Sequence, residues 1–403
     1  MDDLGSAIVP RETTEWRIIG LAVAAGIVGA FQIGKAAIAL PALRADLGLG
    51  LAAAGWILSV FNLIGVLAGM PLGAVIGRLG DRRMLLAGLA LIAAASLFGA
   101  MAPGAALLLA TRIVEGLGFL VIVIAAPTLI ARAARPADLK LAFGIWGAYM
   151  PTGQALMIIA APFLIAPFGW RGLWTANAAL ALLFAIVMAR ATRGFPPLRQ
   201  PPRIDLGGDL RRTATAPGPL ILAAIFACYS AQYLAVMGFL PTLLIEEDGL
   251  APAVAGVVAA IAIGANGIGN LAAGILLRRG VARAPLIALA TAAMFAAALG
   301  IFLWAPPLWA SYALYLAFAT LGGMLPASVL GAAPAHAPAP HLVPATNGLL
   351  VQGSNLGQVI GPPAIGALAA AWGWGWSPLL LAPAAAGALA LAALLRRQEG
   401  ARP

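Results

Sequence analysis

Twelve apolar stretches, each long enough to cross roughly 30 Å of hydrocarbon, constrain this chain more than any motif in it. They run approximately 17–43, 51–76, 84–102, 105–131, 141–166 and 172–190, then 217–244, 251–277, 284–304, 307–331, 345–370 and 376–395. The bilayer core holds no water, so backbone N–H and C=O groups there must be satisfied within the segment, which makes each segment a helix. The expectation is an all-α membrane protein with twelve transmembrane helices. Composition closes the soluble alternatives. Hydrophobic residues make up 62% and charged residues 9%, against about 25% charged in an ordinary soluble domain. In water such a chain would leave large apolar patches exposed. Cys228, the single cysteine, lies inside an apolar span and reads as a packing residue. No cleavable signal pattern precedes the first apolar run, so that run is expected to stay as a helix.

An even number of spans puts both termini on one face, and the basic residues say which face it is. Arg11, Arg17, Arg78, Arg82, Arg83, Arg132, Arg135, Lys140 and the arginines of 190–212, 278–283 and 396–402 fall on the terminal side. Only Arg44 and Arg171 fall on the other side, together with the acidic trio Glu246, Glu247 and Asp248. By the positive-inside rule, both termini are expected in the cytoplasm and the protein in a bacterial inner membrane. The net charge of +10 then faces anionic lipid, and no nucleic-acid partner is expected.

The chain also repeats. Gln32 and Pro41 return 200 residues later as Gln232 and Pro241, and Asn62 returns 204 later as Asn266. Gly153-Gln154 and Gly169-Trp170 return, also 204 later, as Gly357-Gln358 and Gly373-Trp374. The stretch 191–216, with Pro196, Pro197, Pro201 and Pro202 among arginines, reads as a cytoplasmic linker. It divides an N-terminal six-helix bundle (1–190) from a C-terminal one (217–403). Repeated halves of this kind build transporters that rock about a site near the midplane.

Two stretches carry a family resemblance. The loop after the second span reads Gly73-Ala74-Val75-Ile76-Gly77-Arg78-Leu79-Gly80-Asp81-Arg82-Arg83, and the fourth span contains Arg112-Ile113-Val114-Glu115-Gly116-Leu117-Gly118. Both resemble signatures of the major facilitator superfamily, and the resemblance covers essentially the whole chain. It implies two pseudo-symmetric six-helix bundles, with conformational gating through Gly73, Arg78, Gly80, Asp81 and Arg82. The family's aspartate is missing at Gly77, and Asp81 stands four positions later. Phe119 through Pro127, with Tyr149-Met150-Pro151, is most similar to the cyanate permease branch, which implies small anions or exported small organic compounds as substrates. Nitrate porters of the superfamily are expected to use arginines on spans 2 and 8, which this chain lacks.

An ionisable residue inside a span is a functional candidate by default, and there are three: Lys35, Arg112 and Glu115. Arg112 and Glu115, three apart, share a helix face and can pair. That pair could simply lock span 4. In the functional reading arginine stays charged while Glu115 accepts the coupling proton. Lys35 with Gln32 one turn earlier offers a cation and an amide to an oxygen-bearing anion, unless Lys35 snorkels to the interface. If all three face the cavity, two cations and one anion leave one positive charge over, which a small anionic substrate would neutralise. Tyr229, Gln232 and Tyr233 on span 7, Asn355 and Gln358 on span 11 with Asn347, and Tyr149 on span 5 could wall the site; helix–helix contact is the competing role for each. Gly361-Pro362-Pro363 should break or bend span 11. His336 and His341 lack carboxylate or cysteine partners, so no metal is expected. No phosphate-cradling motif or nucleophile–base set stands out, so no cofactor and no enzymatic activity is expected.

The reading is therefore a monomeric secondary transporter of a small anion, by alternating access and with proton coupling or symport open. The alternatives are a proton-driven exporter of small apolar organic compounds or drugs, and a non-transporting membrane sensor.

Overall fold

The computed structural model describes residues 13–195, 206–304, 307–339 and 342–400. The side chains of Gly73 and Arg78, and all of His341, lie outside the described residues. The first half comprises α1 (Trp16–Leu47), α2 (Leu51–Ser59), α3 (Leu63–Leu79), α4 (Asp81–Ala100), α5 (Ala105–Ala133), α6 (Leu139–Gly147) and α7 (Tyr149–Ala191). Then follow α8 (Leu206–Thr215), α9 (Pro217–Met237), α10 (Leu240–Thr242), α11 (Pro252–Arg278), α12 (Arg283–Leu303) and α13 (Leu308–Gly322). The chain ends with α14 (Met324–Leu330), α15 (Ala333–His336), α16 (Val343–Trp372) and α17 (Pro378–Gly400). Part of the stretch read as linker is thus helical, as α8.

Ten helical segments among the described residues are long and apolar enough to cross a membrane. One of them, Ile145–Ala191, has 47 residues, about 70 Å at 1.5 Å per residue and too long for one crossing. Gly169, at φ 64°, breaks it into two antiparallel spans. The helix α16 has 30 residues and falls outside the ten because Thr346, Asn347, Gln352, Ser354, Asn355 and Gln358 dilute its apolar run. With that division and this addition, the spans among the described residues number twelve, in two six-helix bundles.

The repeat is visible in the turns. Six described glycines have positive φ, and they form three pairs: Gly48 with Gly249, Gly80 with Gly280, and Gly169 with Gly373. Each half therefore turns at corresponding places in the left-handed region that glycine tolerates best. The Gly169 turn is pinned by Asp46 at the end of α1, which accepts from Trp170 Nε1 at 3.0 Å and Arg171 Nη1 at 2.5 Å. Shallow apolar grooves of about 350 and 460 Å³ also correspond: Thr175, Ala178 and Ala179 line one, and Leu379, Ala382 and Pro383 line the other.

Lipid is as apolar as leucine, so helices in a membrane associate by close packing of small residues. Gly353, Gly357 and Gly361 of α16 stack on Ala223, Ala227 and Ala231 of α9. In the first half Gly34 and Gly153 bring α1 and α7 together in the same way, against Gln154 O and Ile27 O. A 3₁₀ turn at Val60–Asn62 links α2 to α3, and it sets Phe61 O against Gly116 of α5, where a Cβ would lie 1.8 Å away. Of the break or bend expected at Gly361-Pro362-Pro363, the break does not occur: α16 runs on through both prolines to Trp372. These residues face a neighbour: Gly55 of α2 sits on Pro362 O and Pro363.

That contact belongs to the seam between the halves. On the face away from the termini, Gly366 packs on Leu51 O and Gly256 of α11 on Ile158 O of α7. Arg44 of α1 pairs there with Glu246 across the two halves, at 22% and 34% side-chain exposure. An exposed pair of this kind contributes about 0.2–1 kcal/mol. Arg44→Glu is therefore expected to raise maleimide labelling of cysteines introduced on this face of the seam by up to roughly fivefold. Adding Glu246→Arg should restore the original labelling. Equal labelling of single and double variants would show that the pair does not hold the seam.

Candidate functional site

The site grows from one carboxylate. Glu115 lies in the middle of α5, and each of its oxygens is taken. Oε1 accepts from Lys35 Nζ of α1 at 2.6 Å and from Ser96 Oγ of α4 at 2.6 Å. Oε2 accepts from Arg112 Nη1 at 2.6 Å, one helical turn away. Arg112 is spent further on backbone, donating through Nη1 to Gln32 O at 2.8 Å and through Nε to Ile57 O at 3.3 Å. Its guanidinium lies 4.6 Å from the Phe61 ring centroid.

Around Lys35 the second ring of contacts is equally complete. Nζ donates to Ser96 Oγ at 2.9 Å and sits 4.5 Å from the Trp174 ring centroid. Ser96 Oγ also lies 3.2 Å from Gln32 Oε1. Gln32 Nε2 reaches Asn177 Oδ1 of α7 at 3.4 Å and Val28 O at 3.3 Å. Lys35, Glu115, Ser96, Gln32 and Trp174 are fully buried, and Arg112 is 1% exposed. Four helices of the first bundle, α1, α4, α5 and α7, thus close on a sealed polar centre. Removing charges from water is expensive, and only close pairing with added hydrogen bonds offsets the penalty. Here the pairing is close, but the sum is not zero: two cations share one carboxylate.

The structure therefore brings Lys35, Gln32, Arg112 and Glu115 together and adds Ser96, Trp174 and Asn177, which screening for ionisable residues alone had passed over. The signal for Ser96 and Asn177 was present, since each is a polar side chain within an apolar span, Ser96 alone in 84–102 and Asn177 together with Thr175 in 172–190. Lys35 does not snorkel.

The other expected wall residues lie elsewhere, and no hydrogen bond among the described residues joins them to this centre. In the second half, Phe226, Tyr229, Tyr233 and Phe318 form a row of stacked rings with centroid separations of 6.1, 5.5 and 6.5 Å. Tyr229 Oη accepts from Asn266 Nδ2 at 3.0 Å. Gln232 donates to Cys228 O at 3.1 Å, and its buried Oε1 has no hydrogen-bond partner among the described residues. Gln358 donates to Ser354 Oγ at 3.1 Å, and Asn355 packs on Gly65 at the seam. Tyr149 stacks on Trp146, 4.1 Å between centroids, next to Phe119 in the first half.

At the terminal face, Gly80 (φ 88°) starts α4. Asp81 there accepts from Arg132 Nη1 through both oxygens, at 2.7 and 2.6 Å. Arg82 donates to Thr192 Oγ1 at 2.7 Å and Ala189 O at 2.9 Å. These bonds tie α4 to α5 and α7 inside the first half.

Comparison with known proteins places the molecule. The Major Facilitator Superfamily family model matches residues 21–343. The chain is 32% identical over 200 residues to the methyl viologen resistance protein SmvA of Salmonella typhimurium strain LT2, covering 48% of this chain and 38% of that protein. It is 29% identical over 218 residues to the cephamycin export protein CmcT of Amycolatopsis lactamdurans, covering 51% and 42%. It is 31% identical over 176 residues to the puromycin resistance protein of Streptomyces alboniger, covering 43% and 34%. The chain spans less than half the length of these relatives. In structure it is similar to a bacterial homologue of the human lysosomal transporter Spinster in an inward-facing, occupied conformation, with a TM-score of 0.77. That match has 16% identity over 96% of this chain and 98% of the other, a likeness of fold alone.

Proposed function

Because the chain belongs to the Major Facilitator Superfamily and is a multi-pass membrane transporter, we propose that it exports small organic compounds in exchange for protons. The two rocking bodies are 1–190 and 217–403, and the arginine-rich terminal face is cytoplasmic in a bacterial inner membrane. The observation that carries this reading is the sealing of Lys35. A carboxylate of the chain itself, Glu115, occupies the position at Nζ that an anionic substrate would take. A buried, hydrogen-bonded charge cluster with no exposure suits a proton, which needs no cavity, better than a substrate anion. The named relatives, resistance and export proteins, support export over the cyanate-permease branch. In the aromatic row on α9 and α13 Tyr233 alone is partly exposed, and it is the ring that a planar organic molecule would meet.

Expression in a bacterium stripped of its own exporters is expected to raise the tolerated concentration of methyl viologen or puromycin several-fold. A proton ionophore should abolish the accompanying efflux. Unchanged tolerance together with saturable uptake of cyanate or formate would overturn export. It would favour the anion reading, for which the one surplus positive charge of the cluster speaks.

A further inference from the structure

We propose that Lys35, and not Glu115, is the group that gains and loses the coupling proton. The inference rests on the proton-driven reading above and deepens it.

Donor counting carries the argument. The guanidinium of Arg112 stays charged at any accessible pH. Glu115 receives three hydrogen bonds at 2.6 Å, two of them from cations that can only donate, Lys35 Nζ and Arg112 Nη1, and one from the Ser96 hydroxyl. A proton added to Glu115 would face Lys35 or Arg112, which cannot accept it, or displace the proton of Ser96, and in each case it would leave two buried cations with no counter-charge. Hydrogen bonds to the ionised form hold a carboxylate ionised. The cluster would go from one surplus positive charge to two, in a site without water exposure.

Loss of a proton from Lys35 does the reverse. The reaction is Lys35–NH₃⁺ giving Lys35–NH₂ and H⁺, and it takes the cluster from one surplus charge to none. The neutral amine keeps an N–H for Glu115 Oε1. Its new lone pair needs a donor, and Ser96 Oγ is in place at 2.9 Å. Ser96 has a single proton. It donates to Glu115 Oε1 while Lys35 is charged and turns to Lys35 once the amine is neutral. Ser96 is thus a positioning residue that keeps the Lys35 nitrogen and Glu115 Oε1 paired in both states. The groups facing Lys35 are Arg112 and Glu115 from α5, Ser96 from α4, Trp174 from α7, and its own neighbour Gln32, which holds Asn177.

Movement follows from the same change. Charge-assisted hydrogen bonds are roughly twice as strong as neutral ones. Deprotonation therefore weakens the tie between α1 and α5, and α1 also carries Arg44 at the seam between the halves.

The chain has two lysines, Lys35 and Lys140, so the test is direct. Full-length protein labelled with ¹³Cε-lysine gives two NMR signals, assigned with Lys140→Arg. The Lys35 signal is expected to pass between its charged and neutral positions over the pH interval in which methyl viologen exchange in proteoliposomes rises from floor to plateau. Lys35→Arg, which keeps the ion pair but cannot titrate, and Lys35→Met are both expected to flatten that pH profile. Both should also cut gradient-driven accumulation roughly tenfold or more, the usual span of coupling between sites. Either variant retaining the wild-type profile would overturn the proposal. Absence of any methyl viologen or puromycin flux in the wild type would remove the export reading alone. The NMR titration then decides the lysine by itself: passage between the two positions at a pH at which the protein stays folded supports it, and a signal fixed at the ammonium position throughout overturns it.

Discussion

Glu115→Ala is expected to destabilise the protein by about 3–5 kcal/mol, the loss typical when one partner of a buried ion pair is removed. The substitution leaves Lys35 and Arg112 facing each other in a sealed bundle, and it leaves the Ser96 hydroxyl only Gln32 Oε1, at 3.2 Å, to donate to. Lys35→Met is expected to lose less than half as much, because it leaves Arg112 and Glu115 as a neutral pair of matched charges. The asymmetry is the informative quantity. Thermal unfolding in detergent, followed by tryptophan fluorescence, measures it for both variants. Equal losses would mean that the surplus positive charge read from the geometry is not felt by the fold.

Gly357→Leu is expected to abolish folding altogether. A Cβ at this position would lie 2.0 Å from Ala227 O and 2.7 Å from Ala231 N, both backbone atoms of α9. Overpacking a core generally costs about 1–3 kcal/mol when side chains can shift, but a helix backbone cannot move without separating the two helices. The loss should exceed that range and remove the monodisperse peak in size-exclusion chromatography. Gly264→Ala and Gly267→Ala on α11 are the controls, since a Cβ there meets nothing within 4 Å. Replacing a helical glycine by alanine at such open positions gains up to about 1 kcal/mol. Should Gly357→Leu elute like the controls, the close seam between α9 and α16 is wrong.

How much of this was readable beforehand differs from element to element. The spans were legible because a bilayer demands length and apolarity, and both are local properties of a segment. The repeat was legible through Gly169-Trp170 and Gly373-Trp374, and the structure shows why glycine stands there: both adopt positive φ at a turn between spans. At the proline pair of α16 the sequence left a break or a bend open, and the helix does not break. A proline removes one hydrogen bond locally, and α16 continues past Pro362 and Pro363 where they pack on Gly55. Nothing within 343–372 alone announces that neighbour.

The charge centre shows the same division. Sequence by itself determined that Lys35, Arg112 and Glu115 lie in hydrocarbon, and that one positive charge is left over, because charge and hydropathy are sums along the chain. It could not say which way Lys35 points. That depends on Ser96, 61 residues away, and Glu115, 80 residues away, and on the rotation of four helices about their axes. Only the tertiary structure decided that the ammonium turns into the first bundle and meets a carboxylate instead of an open cleft. Burial energy depends on the whole surroundings of an atom, and those surroundings come from segments that the chain order keeps apart.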